Sequence, residues 1–310
     1  MALDLNGLKE RLGEPIVFTG KKHGFPYILT TSSGWLVKPI QDLDRMIWWK
    51  QIDELLRQRE FHAMPAFFIW QGKWIVMEYI RGRTAHYRNM SDLQRAVRLL
   101  ARFHLAAHQA PQRPPLRSGI SLPERLTNRY EQYRQLHNQL ACFPHLFPAS
   151  KQFALLGEKA LERLDHTPLT DLTTIDRAQG AVSHRDLASH NIVIDKDGTA
   201  WLIDFDTVNV DLRLGDLWQM CSRALVEWHW APHIYDTMLQ TYETVRPLNV
   251  LERSTLAHLF LYPNDFYREA LGLLKQRSGF THHKVVSYLQ MMCRDCDKWY
   301  AFLRYIGVAW

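Results

Sequence analysis

Three side chains able to handle a metal ion and a proton lie close together in the chain: Asp186, Asn191 five residues later, and Asp204 thirteen after that. They are set in AVSHRDLASHNIVIDKDGTAWLIDFD, residues 181–206. Two short apolar runs, Asn191–Asp195 and Thr199–Asp204, flank Lys196-Asp197-Gly198, and a turn signal between β-prone segments predicts a hairpin. Closing that hairpin brings the acid and amide of the preceding loop and the acid that follows to one edge, facing one small volume. A carboxylate to orient a hydroxyl nucleophile, with an amide oxygen and a second carboxylate to hold Mg²⁺, is the donor set that phosphoryl transfer uses.

The elements ahead of this segment must supply the phosphate and base contacts. A short helix is expected within residues 1–15, then strands at Ile16–Thr19, Pro26–Thr31 and Trp35–Ile40. Lys38 closes the apolar run Trp35-Leu36-Val37, a position from which an inward-pointing lysine reaches nucleotide phosphates. Asp42–Glu60 reads as a helix, and from it Glu54 is the chosen carboxylate partner for Lys38, with Asp53 and Asp44 as alternatives. Phe67–Trp70 and Trp74–Tyr79 form a second hairpin, ending in Glu78-Tyr79-Ile80, the hinge whose backbone would meet an adenine ring. Gly20-Lys21-Lys22-His23-Gly24 is the candidate phosphate loop, although it does not match G-x-G-x-x-G.

From residue 91 onward the pattern is helical. Ser91 is the expected cap of a helix to about Gln109, Pro111–Gly119 a Pro-rich loop, and 122–141 and 150–165 helices. Thr167–Gly180 leads into the central loop. Beyond the hairpin, helices are expected at Leu214–His229, His233–Val245, Leu251–Phe260, Asn264–Gln276 and Lys284–Tyr305. The fold class is therefore α+β and bilobal, a small antiparallel-sheet lobe over 1–80 and a large helical lobe over 81–310, with the ligand cleft between them.

Composition narrows the partners. A net charge of +6 over 310 residues comes without a basic tail or block, which suits a nucleotide and argues against nucleic acid. There is no apolar run of membrane-spanning length, and MALDLNGLKE lacks a signal-peptide core, so a cytoplasmic protein is expected. The four cysteines fit a reducing compartment; Cys293 and Cys296 form a lone CxxC and read as structural thiols. His104 and His108, four apart on a helix, lack a third ligand and read as satisfied histidines rather than a metal site.

Two features separate the chain from protein kinases, whose H-R-D-L-x-x-x-N loop it otherwise carries. Asp206 stands where glycine would follow Asp204-Phe205, adding a carboxylate within reach of a second metal or the substrate. Asp216 arrives only twelve residues after Asp204, which leaves no room for a long activation segment, and no A-P-E follows. A small-molecule hydroxyl is the better acceptor.

On HRDLASHN (184–191), LIDFD (202–206), DLRLGDL (211–217) and LLARFHLAAH (99–108), the chain resembles the aminoglycoside phosphotransferase/choline kinase-like superfamily. WLVKPI (35–40) and LFLYPNDFYREA (259–270) make it similar to the spore-coat-associated CotS-like branch. The resemblance implies an ATP- and Mg²⁺-dependent kinase with Asp186 as base, Asn191 and Asp204 as metal ligands, Lys38 on the phosphates and Asp216 bracing the catalytic loop. Most members have glycine where Arg185 stands here, an arginine placed to pair with an anionic substrate or a nearby acid. The branch also implies an alternative: a kinase-like spore-coat protein that binds coat partners with little turnover.

Overall fold

The computed structural model describes residues 3–111, 119–143, 146–277 and 280–308. The protein is mixed α+β, a small antiparallel sheet followed by many helices. Helix α1 (Leu5–Leu12) is capped by Asp4 and ends on Gly13 in the left-handed conformation. β1 (Ile16–Lys22), β2 (Phe25–Thr30) and β3 (Gly34–Pro39) lead into helix α2 (Leu43–Gln58), and β4 (Phe67–Trp70) and β5 (Trp74–Glu78) complete the sheet in the order β1-β2-β3-β5-β4.

Strand parity decides what each face of this sheet does. Val37 pairs with Val76, and both join Ile28 and Leu8 in a small core beneath α1. One residue either side, Leu36 pairs with Met77 and Lys38 with Ile75, so these side chains point the opposite way. On that side Trp49 of α2 stacks on Phe67, joining sheet and helix to the main core. The alternation of Trp35-Leu36-Val37-Lys38 thus delivers a lysine to the cleft while anchoring its strand from behind.

The chain then crosses through β6 (Arg83–Thr84), which pairs with β8 (Ile192–Ile194), itself paired with β9 (Ala200–Leu202). Between them run α3 (Met90–Ala106), α4 (Leu122–Leu136), α5 (Phe147–Asp165), α6 (Leu169–Ala178) and β7 (Val182–Ser183). β7 pairs with β10 (Asn209–Val210), and the two ladders clamp the segment that carries Asp186, Asn191 and Asp204 from both ends. Helices α7 (Leu214–Glu227), α8 (Pro232–Glu243), α9 (Val250–Leu259), α10 (Asn264–Leu274), α11 (His282–Arg294) and α12 (Cys296–Tyr305) follow, packed around aromatic side chains such as Phe266, Tyr267 and Phe302 that are fully buried. No helix among the described residues is long and apolar enough to cross a membrane.

Four expectations need correction. The α3 cap is Asn89, whose side chain accepts from the Asp92 amide, rather than Ser91. Thr167–Gly180 contains helix α6; burial of Leu169 and Thr173 overrides the weak helix propensity of its threonines. The single C-terminal helix is two, parted at Asp295, whose carboxylate is shared by His229 and Lys298. The candidate phosphate loop is mostly strand: Gly20–Lys22 belong to β1, leaving His23-Gly24 as a tight turn. Most of the Pro111–Gly119 segment lies outside the described residues.

Gly82, at the crossing, has room for nothing larger: a Cβ there would sit 2.3 Å from the Ile194 carbonyl oxygen and 2.7 Å from Val193. Gly82→Ala is expected to force β6 off β8 and lower stability by about 1–3 kcal/mol, seen as a lower urea midpoint at unchanged slope.

Candidate active site

The loop that follows β7 owes its shape to one buried carboxylate. Asp216, near the start of α7, accepts the backbone N–H of His184 at 2.6 Å and of Arg185 at 2.8 Å. The same carboxylate meets His104 Nε2 at 3.1 Å, and His104 Nδ1 lies 2.8 Å from the Tyr242 hydroxyl. Burial pushes the Asp216 pKa upward, but the His104 hydrogen bond, the nearby imidazoles and the Arg185 amide outweigh it and hold the group below its ordinary range. Burial also lowers the pKa of His104, so the ring is neutral, donating from Nε2 to Asp216 and accepting from Tyr242 at Nδ1. The expected bracing role of Asp216 thus has a physical form: it holds two consecutive amides. His104 is a core histidine, and His108 bonds its own helix at the Leu105 carbonyl.

Between those amides the backbone turns sharply. Arg185 has φ +70°, a left-handed conformation that glycine adopts freely and that costs an L side chain about 1 kcal/mol. Its guanidinium turns toward Ile120 O at 3.2 Å and Asp211 at 3.8 Å, so a nearby acid is among its partners.

Helix α7 does more than present Asp216. Gln219, one turn on, accepts the Leu187 N–H at 2.5 Å and donates to the Arg185 carbonyl. Arg223, another turn on, donates to Asp186 Oδ1 at 3.1 Å. On the other oxygen, Asn191 Nδ2 donates to Asp186 Oδ2 at 3.1 Å and to its carbonyl at 3.0 Å. Asp186 is therefore held at both oxygens, and Asn191, whose NH₂ is spent on it, offers a carbonyl oxygen to a cation. Gln219 and Arg223 were not singled out from sequence. Their signal is the spacing 216, 219, 223, one face of a helix beginning at an acid already tied to the loop.

Asp204 also sits in the left-handed region, at φ +64°. Phe205 beside it stacks on Trp49 at 4.5 Å and meets the His184 ring edge-on, fixing the turn between α2 and the catalytic loop. Lys38 reaches Asp204 and Asp206, each at 3.6 Å. Glu54, the expected partner of Lys38, is exposed and lies 3.8 Å from Lys50 instead. Asp53 is buried against Lys50 and Arg57. The helix axis turns its mid-helix acids away from β3, a rotation that spacing alone does not fix. In the hinge, the Glu78 amide bonds Ala66 O and the Tyr79 amide bonds Gly34 O, so both are committed to the sheet rather than open to a base.

Two cavities meet here. One, of about 480 Å³, is lined by Lys38, Glu78, Tyr79, Ile80, Asn191 and Asp204. The other, of about 560 Å³, is lined by Asp186, Arg223 and the Arg268–Glu269 pair. His190 lines both. The donors at this junction fit a magnesium ion. Asp204 Oδ1 is buried without a hydrogen bond, and burial, then the Asp206 charge, raise the Asp204 pKa against the pull of Lys38. A divalent cation would give this oxygen the close partner that Lys38, 3.6 Å away, does not. No cluster of three or more His, Cys, Asp or Glu suited to a metal occurs among the described residues. Mg²⁺ held by one or two protein oxygens and substrate phosphates needs none.

A small sheet presenting a lysine, and a loop-and-hairpin presenting Asp, Asn and Asp at a junction of two cavities, define a protein of the kinase-like fold. The chain belongs to the phosphotransferase enzyme family, whose profile matches residues 22–251. Among solved structures it is similar to an aminoglycoside phosphotransferase from Alicyclobacillus acidocaldarius, with TM-score 0.77 and 16% identity over 94% of this chain and 92% of that one. It is also similar to a spectinomycin phosphotransferase solved with ADP and spectinomycin (TM-score 0.62, 15% identity, 97% and 99% covered). A choline kinase from Streptococcus pneumoniae matches with TM-score 0.53 and 17% identity over 95% and 98% of the two chains. At these identities the likeness is one of fold.

The neutral, buried His104 and His184 give a pH signature. Both pKa values are lowered on folding, so below about 6.5 the unfolded chain binds more protons than the folded one and stability falls. Thermal melting is expected to drop as pH is lowered through that value, and His104→Gln to flatten part of the slope.

Proposed function

We propose that the protein is an ATP- and Mg²⁺-dependent kinase that transfers the γ-phosphoryl group to a hydroxyl of a small molecule. The observation that carries this reading is the meeting of the two cavities at His190, with Lys38, Asn191 and Asp204 on one and Asp186 on the other. A nucleotide in the first would place its phosphates against Lys38, with Glu78, Tyr79 and Ile80 around the base. An acceptor in the second would set its hydroxyl against Asp186. Asp204 and the Asn191 oxygen would hold the metal, with Asp206 beside them; when bound, Mg²⁺ supplies neutralisation of phosphate charge.

The chain's own residues do the positioning. Asp186, held at both oxygens, accepts the hydroxyl proton as the oxygen bonds to phosphorus and the bond to the β-phosphate oxygen breaks. Lys38 steadies the phosphates, and Arg185, tied to Asp211, keeps the loop in its turn rather than touching the reacting atoms. Residues 1–80 are the nucleotide-binding lobe in this reading and 81–310 the catalytic and acceptor lobe.

One observation favours a second reading, a binding protein with little turnover: the His23-Gly24 turn is too short to wrap phosphates as a glycine-rich loop does. Nucleotide binding separates the two. Mg²⁺·ATP is expected to raise the melting temperature of the wild type and to leave Asp204→Ala unmoved; no shift in the wild type overturns the kinase reading. Asp186→Asn is expected to keep the shift and to lose about 10²–10⁴-fold in kcat.

A further inference from the structure

The cavity on the Asp186 side carries two guanidinium groups and three carboxylates, and their pairing shows what it lacks. Arg268 is spent on Glu269 at 2.7 Å and Asp265 at 3.5 Å. Asp186 is satisfied by Arg223 and Asn191. Glu227 follows Arg223 by one helical turn yet makes no ion pair among the described residues, and burial raises its pKa toward the neutral acid. Arg223 is the exception. Its side chain is 11% exposed, and while Nη2 serves Asp186, Nε and Nη1 are buried with no hydrogen-bond partner. Of the described residues lining this cavity, Arg223 alone has buried donors left over.

An unfilled buried donor is costly, more so when charged, and such a group in a native site calls for something that completes it. A guanidinium presents its N–H groups as a planar fork that matches the paired oxygens of a carboxylate or phosphate. We propose that the acceptor is a small hydroxyl compound bearing an oxyanion, and that Arg223 is the residue that selects it. The inference rests on the phosphotransferase reading and names the substrate class of that same site. Arg223 then has two tasks on one side chain: one N–H of Nη2 positions Asp186, and the other N–H of Nη2, together with the unfilled donor beside it, forms the fork that takes the oxyanion, setting the distance from that group to the reacting hydroxyl. The transfer is balanced as before. The acceptor oxygen bonds to the γ-phosphorus, its proton passes to Asp186, and ADP leaves with the electrons of the broken bond.

The test uses the full chain with saturating Mg²⁺·ATP and a matched set of hydroxyl compounds: carboxylates such as glycerate, phosphate esters such as glycerol 3-phosphate, neutral polyols such as glycerol, and amino alcohols such as ethanolamine. ADP release and, with a non-hydrolysable ATP analogue, melting temperature are read for each. Turnover and added stabilisation confined to carboxylates or to phosphate esters are expected, and the two arms identify which oxyanion is taken. Arg223→Lys keeps a cation on Asp186 but loses the fork; it is expected to raise KM for the oxyanion acceptor at least tenfold while KM for ATP stays constant. A purely structural role for Arg223 would lower kcat for every acceptor alike with KM unchanged, and that result overturns the proposal. Best turnover with neutral or amino compounds, or no response to any oxyanion while Mg²⁺·ATP still stabilises the protein, overturns it equally. Failure of Mg²⁺·ATP itself to stabilise the wild type would instead remove the kinase reading beneath it.

Discussion

The Asp216 carboxylate is the constraint from which the site is built. Two consecutive amides, His184 and Arg185, point at it from a loop whose next residue is Asp186. A backbone that donates both N–H groups to one acid must turn between them, which is why Arg185 is left-handed and why Asp186 emerges at the mouth of the cavity. Being charged and almost wholly buried, Asp216 is tolerable only because those amides and His104 complete it. The energetic stake in this acid and the placement of Asp186 are therefore the same set of hydrogen bonds.

Everything else fixes distances relative to that point. Through Gln219 and Arg223, α7 extends the grip from the loop's start to its functional side chain. The β8–β9 hairpin carries the chain from Asn191 back to Asp204, and Phe205, wedged between Trp49 and His184, ties that acid to the helix behind the sheet. Lys38 arrives from a strand whose alternate residues are locked in the small core under α1. Asp186, Asn191, Asp204 and Lys38 come from separate elements, yet each is held by buried contacts rather than by a free loop.

How much of this is legible in the sequence depends on the range over which each feature is determined. The hairpin and its three polar residues are local: turn chemistry and apolar runs decide them, and the strands fall within a residue or two of expectation. Lys38 is legible because strand alternation has only two phases. The partner of Lys38 is not. Three acids on α2 are candidates, and which faces β3 depends on how the helix is rotated by Trp48 and Trp49 in the core; Asp204 and Asp206 fill the role from far along the chain. Helix α6 is hidden because its burial comes from partners distant in sequence. Arg223 is hidden for a related reason: within an apolar helix a charged residue looks like a solvated one until the loop it touches is known.

The acids around Lys38 carry one further implication. Before any ligand arrives, a single ammonium group faces two carboxylates, so this corner of the cleft holds an excess of negative charge. For a kinase working as proposed here, a nucleotide arriving stripped of its cation meets repulsion, whereas one carrying a divalent ion brings the charge the corner lacks. Discrimination between complexed and free nucleotide is then a matter of electrostatic arithmetic, exercised at entry and needing no moving part.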